Sequence, residues 1–133
     1  MILNKEVSVD QETTVLELKK KVRQFVEERD WQQFHTGKNL SMSIAIEAAE
    51  LMEHFQWEDI KSAEGLPEDL SLKVQQELAD IVIYALDFCN SFGLDLSEAI
   101  EAKLRHNAEK YPVEQAKGKS HKYTFYQKNK ETL

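Results

Sequence analysis

Glu47-x-x-Glu50 and Glu77-x-x-Asp80 are two pairs of acids, each spaced so that a helix carries both members on one side. Grouped carboxylate oxygens are hard ligands that suit Mg²⁺ or Mn²⁺. A thiolate site is excluded, because Cys89 is the single cysteine. A di-iron bundle would bring Glu-x-x-His on two helices, and the sequence contains no such pair, which argues against redox chemistry. Two carboxylates about 5 Å apart repel by roughly 3 kcal/mol at an effective dielectric of about 20, so four converging acids need protons or cations between them. The competing reading is of solvated acids on the outer faces of amphipathic helices.

The elements that must position these acids are legible in the pattern. Thr14-Val15-Leu16-Glu17 is a capping box that opens a first helix with Val15, Leu18, Val22, Phe25 and Val26 on its apolar side. Residues 31–39 read as a loop around Gly37, followed by a second helix over about 40–57. A third helix begins near Glu68 and Asp69, whose charge favours a helix N-terminus, and stops at Gly93. Asp95-Leu96-Ser97-Glu98 opens a fourth, which Pro112 forces to end at Tyr111 or before. Four amphipathic helices with short links predict an all-α, antiparallel four-helix bundle.

On the second helix, with Ile44 at zero, Leu40, Ala48, Leu51 and Phe55 share the core side, while Glu47, Glu50 and His54 fall at about 300°, about 240° and about 280°. On the third, with Leu78 at zero, Val74, Ile81, Val82, Ala85 and Cys89 make the core side, and Glu77, Asp80 and Tyr84 fall at about 260°, about 200° and about 240°. Antiparallel pairing places Glu50 about 10 Å and Glu77 about 15 Å from matching helix ends, so the two acidic pairs can meet.

The apolar stripe of the fourth helix, through Leu96, Ala99 and Ile100, runs on into Lys103, Asn107 and Lys110. Burying unpaired ammonium groups is expensive, so these side chains either reach to solvent at the bundle's end or line a polar cavity that receives an anion such as a triphosphate. Trp31, His35, Trp57 and Tyr84 could sandwich a nucleobase, although each alone also fits ordinary packing.

With 133 residues, 41% hydrophobic and 31% charged, the chain predicts one domain and leaves no apolar run near the ~20 residues of a membrane span. A net charge of −7 disfavours binding a nucleic-acid backbone. Five Lys and two Glu in residues 112–133 make a basic arm, expected to be extended, behind a helical domain over 14–111 and a short extension over 1–13. In that extension Ile2, Leu3, Val7 and Val9 could form a strand, an oligomer contact or nothing ordered. The lack of a secretion-type apolar stretch at the N-terminus makes the cytoplasm the expected compartment.

In this order, Glu28-Arg29-Asp30-Trp31-x-x-Phe34-His35, Lys38-Asn39-Leu40, Glu47-x-x-Glu50-Leu51-x-Glu53-x-Phe55-Gln56-Trp57, Glu77-Leu78-x-Asp80-Ile81-x-Ile83-Tyr84, Lys103-x-x-x-Asn107-x-x-Lys110-Tyr111-Pro112 and Lys122-Tyr123 resemble the MazG-like all-α nucleoside triphosphate pyrophosphohydrolases. Within them the dCTP pyrophosphatase branch is most similar. The resemblance covers about residues 14–125. It implies Mg²⁺ held by Glu47, Glu50, Glu77 and Asp80 as the catalytic set, and cleavage between the α- and β-phosphates. It also implies a base and sugar site at Trp31, His35, Trp57 and Tyr84, with phosphates held by Lys103 and Asn107. Lys110 and Tyr111 join the substrate-binding set, and assembly as a tetramer or dimer with shared sites is implied as well. His54 departs from the apolar residue expected there, and Leu104-Arg105-His106 differs from the branch, so base preference transfers least securely. Alternatives to dCTP hydrolysis are dUTP or noncanonical nucleotides within the same class, and a non-catalytic helical binding module outside it.

Overall fold

Thr14 caps the first long helix as its sequence predicts: its hydroxyl accepts from the Glu17 N–H, and its own N–H donates to the Glu17 carboxylate at 2.7 Å, which holds that carboxyl below its ordinary pKa. The computed structural model describes residues 8–128, and among them there are helices and turns and no strand. The helices are α1 (Val9–Glu12), α2 (Val15–Glu27), α3 (Gly37–Glu53), α4 (Glu68–Phe92), α5 (Leu96–Lys110), α6 (Val113–Ala116) and α7 (Tyr123–Lys128). The all-α class therefore holds. The strand or contact considered for Ile2, Leu3 and Val7 lies outside the described residues.

Two ends differ from the sequence expectation. The second long helix starts at Gly37, because the Thr36 hydroxyl accepts from the Asn39 N–H and supplies a cap that the reading of Gly37 as a loop centre overlooked. Asn39 also donates to the Phe34 carbonyl at 2.8 Å and closes the preceding turn. Gly37 packs closely, since a Cβ there would stand 3.2 Å from Phe92 Cζ and the ring would have to shift slightly to admit it. The same helix stops at Glu53, and residues 54–57 are turn. Phe55 and Trp57 extend the apolar spacing without extending the helix. The basic arm is likewise not uniformly extended, since it contains α6 and α7.

The chain divides into two compact units, one ending at Leu94 and one beginning at Asp95. In the first, α4 is the central element and packs on both α3 and α2. It runs antiparallel to α2: Asn90 Nδ2 donates to the Lys19 carbonyl at 2.9 Å, Arg23 reaches Asn90 Oδ1 at 3.2 Å, and Lys19 Nζ reaches the Leu94 carbonyl at 2.9 Å. Gly93, with φ 65° and ψ 36°, ends α4 in the left-handed conformation, and both its N–H and that of Leu94 turn back to the Cys89 carbonyl.

Val26, Leu40, Leu86 and Cys89 are the buried apolar residues among those described. Of the core side predicted for α4, Cys89 is buried and Val74, Ile81 and Ala85 are half-buried, whereas Leu78 and Val82 are 51% and 43% exposed; a helix with neighbours on two sides also buries Leu86 and Asp87, outside the predicted side. In the second unit, the Asp95 carboxylate accepts from the Glu98 N–H at 2.9 Å and starts α5, which ends at Lys110 ahead of Pro112 as expected. Among the described residues no helix is long and apolar enough to cross a membrane.

Candidate functional site

The antiparallel run of α3 and α4 brings Glu47, Glu77 and Asp80 together, each offering an oxygen within 4.8 Å of the others. Glu47 and Glu77 are half-buried. Burial first, then the Glu50 charge, a hydrogen bond with the Glu50 carboxyl, and the Asp80 and Glu77 charges hold the Glu47 carboxyl above the usual carboxylate range. Three acids this close, one of them reluctant to ionise, have the chemistry of a divalent-cation site, and the oxygen donors fit Mg²⁺ or Mn²⁺. Glu50, the fourth acid of the sequence pattern, is exposed and stands outside this triad, engaged with Glu47.

A cleft of about 670 Å³ opens between α2 and α4. Leu18, Val22 and Phe25, expected on the packed side of the first helix, line this opening instead. Trp31, His35, Tyr84 and Asp80 line it too, so the cleft and the carboxylate triad share Asp80. Trp31 is placed by a reversal at the end of α2. Asp30 takes a left-handed conformation (φ 53°), and the Trp31 N–H folds back to the Val26 carbonyl at 3.1 Å. The Trp31 ring meets Phe25 edge-on at 5.8 Å between centroids, and the Arg29 guanidinium covers the Phe25 ring at 3.7 Å. Beside them, His35 Nδ1 lies 2.5 Å from Asp87 Oδ2.

Trp57 is 87% exposed in the turn after α3, outside the cleft lining. Lys103, Asn107 and Lys110 share one side of α5 in the second unit, with Tyr111 capping it through an N–H bond to the Asn107 carbonyl at 2.9 Å. Lys110 Nζ sits 4.5 Å from the centroid of the Tyr123 ring.

Three residues of this region were not singled out from the sequence as site residues. Asp87 is 4% exposed, and its signal was a lone acid inside the apolar run from Ile81 to Cys89. His54 has Nε2 3.5 Å from Glu77 Oε1. Its signal was its place on the Glu47 and Glu50 stripe. Lys21, which lines the cleft, stood among three consecutive lysines with nothing to set it apart.

Comparison with known proteins agrees with the helical fold. A rat protein named dCTP pyrophosphatase 1 is 35% identical over 121 residues, covering 88% of this chain and 70% of its own length. The human protein of the same name is 34% identical over 121 residues, with the same coverage of both chains. A solved structure of a pyrophosphatase from Archaeoglobus fulgidus is 38% identical and superposes with a TM-score of 0.64, covering 72% of this chain and 90% of the other. The sequence profile of the MazG-like family matches residues 42–124, and with relatives of this similarity the chain belongs to the MazG-like family.

Proposed function

We propose that the chain hydrolyses a deoxynucleoside triphosphate, dCTP or a 5-modified dCTP by preference, to the monophosphate and pyrophosphate in a Mg²⁺-dependent reaction. Its class, a nucleoside triphosphate pyrophosphohydrolase, follows from the family and the named relatives. The observation that carries the finer reading is the Glu47, Glu77 and Asp80 triad meeting an aromatic cleft at Asp80. The base enters the cleft beside Trp31, His35 and Tyr84, and its triphosphate extends toward the acids. Glu47, Glu77 and Asp80 would hold the metal, with Glu50 behind Glu47. A divalent cation supplies charge stabilisation at phosphoryl oxygens and makes water a better nucleophile.

Glu50 is the acid we assign to orient the attacking water and take its proton as the bond between the α- and β-phosphates breaks. Lys103, Asn107, Lys110, Tyr111 and Trp57 belong to the substrate-binding set in this reading. The helices complete an antiparallel four-helix bundle that self-associates, a tetramer before a dimer. The exposure of Met42, Ile46, Met52 and Leu72, from 53% to 72%, supports such association. The physiological role is removal of unwanted nucleotides from a cytoplasmic pool.

The test is monophosphate and pyrophosphate release from a panel of canonical and 5-substituted triphosphates, with Mg²⁺ and with chelator. Metal-dependent release strongest for dCTP forms is the expected result. Preference for dUTP or a noncanonical nucleotide would keep the reaction and replace the substrate. A folded protein that cuts nothing in the panel would overturn the reading.

A further inference from the structure

His35 and Asp87 form a buried pair that neither metal binding nor phosphate binding uses. The Asp87 side chain is 6% exposed and that of His35 17%. Their facing atoms, Nδ1 and Oδ2, lie 2.5 Å apart as an ion-pair contact, and neither makes a hydrogen bond of regular geometry to any group among the described residues. Two bare acceptors do not approach this closely, so the contact calls for a donor, and the imidazole Nδ1–H is the donor that faces a carboxylate acceptor. A buried carboxylate has a further reason to keep that proton in place, since without it the charge would be unpaired. Asp87 sits between Leu86 and Phe88 on α4 and borders two openings, the largely apolar cleft and a smaller one whose lining includes Arg23, Gln32 and Asn90, and among these side chains His35 is the one within contact distance of its Oδ2.

The consequence falls on the other ring nitrogen. With Nδ1–H committed to Asp87, the neutral ring has a lone pair on Nε2, which is the nitrogen left for a ligand in the cleft. A lone pair accepts and does not donate. It fits an exocyclic amino group, the donor that cytosine carries at its 4-position, and it repels the carbonyl oxygen that uracil and thymine carry there. Trp31, whose ring centroid is 6.4 Å from that of His35, and Tyr84 line the same cleft and supply faces for the base. Stacking on such faces tolerates any base, so discrimination must come from a polar group of fixed hydrogen-bonding sense.

We infer that Asp87 is a positioning residue that holds His35 as its Nδ1–H tautomer, and that the pair thereby selects amino-bearing over carbonyl-bearing pyrimidines. The inference rests on the reading of this cleft as the base site. It assigns a specificity role to Asp87, which itself touches no substrate.

Two measurements on the full chain test it, and neither depends on turnover. The first is ¹⁵N NMR of histidine-labelled protein at mildly alkaline pH, comparing the wild type with Asp87→Asn and using His35→Gln to assign the signals. A pyrrole-type Nδ1 and pyridine-type Nε2 for His35, lost or mixed in Asp87→Asn, is the expected result. A His35 protonated on Nε2 alone or on both nitrogens in the wild type would overturn the proposal. The second is binding of dCMP against dUMP, followed by tryptophan fluorescence. The wild type should favour dCMP by about tenfold, the scale of one buried hydrogen bond made or refused, and Asp87→Asn should reduce that ratio to near unity. An unchanged ratio in a folded Asp87→Asn protein overturns it. Should that variant fail to fold, the wild-type NMR signature still decides. Absence of turnover on every triphosphate would sink the hydrolase reading alone, because the monophosphate ratio and the tautomer are read without it.

Discussion

His54 Nε2 stands 3.5 Å from Glu77 Oε1, joining the end of α3 to a carboxylate of the α4 acid triad. The imidazole gives Glu77 a neighbour that is not another acid and restrains its rotation. His54→Ala should raise the Mg²⁺ concentration for half-maximal pyrophosphate release several-fold, with a smaller loss of turnover at saturating Mg²⁺. An equal loss at every Mg²⁺ concentration would mean that His54 does not act through metal binding.

The triad makes a sharper demand. Glu77→Gln or Asp80→Asn keeps size and removes charge, and each should lower turnover by about a hundredfold or more while nucleotide monophosphate binding changes much less. Mg²⁺ should raise the melting temperature of the wild type, and both variants should lose that rise. Glu47→Gln and Glu50→Gln combined, with turnover unchanged, would refute the assignment of these acids.

Glu47 carries a pH signature. Its carboxyl is held above the usual range by burial and by Glu50, Asp80 and Glu77, so the folded chain binds that proton more tightly than the unfolded chain does. Its contribution therefore favours the fold at low pH, and is lost as pH rises from the ordinary carboxylate range through the raised value. In chelator, the melting temperature of Glu47→Gln should gain on that of the wild type as pH rises across this window. A constant difference between the two proteins would show that Glu47 does not feel its neighbours.

The reversal at Asp30 is a backbone requirement as much as a side-chain one. Glycine adopts its φ of 53° freely, whereas a β-branched residue does so at a cost of roughly 1–2 kcal/mol. Asp30→Gly should therefore leave dCMP affinity close to that of the wild type. Asp30→Val should lower both thermal stability and that affinity, since Trp31 follows directly. Equal behaviour of the two variants in calorimetric titration and thermal melting would separate Trp31 placement from this turn.

Helix starts and stops were legible where a side chain meets the backbone locally: the Thr14 box, the Asp95 cap, and Gly93 as a left-handed stop. The acidic pairs were legible because a spacing of three residues fixes a shared side of a helix. What escaped was set by tertiary context. Thr36 caps α3 one residue before a glycine that reads as a loop, and Phe55 and Trp57 keep the apolar rhythm through a turn. A helical wheel assumes one buried side, and α4 has neighbours on two, so a wheel centred on Leu78 left out Asp87, which is buried. The pairing of His35 with Asp87 joins residues 52 positions apart, a distance no local pattern reports.

Cys89 lies two residues beyond Asp87, 6% exposed, and is the single thiol in the sequence. That makes it a native clock for the breathing of α4. A disulfide reagent in solution can attack the sulfur only during moments when the helix parts from its neighbours, so the labelling rate counts those openings. Occupation of the adjoining cleft by a nucleotide would slow the clock, which turns one unmodified side chain into an optical report of ligand binding.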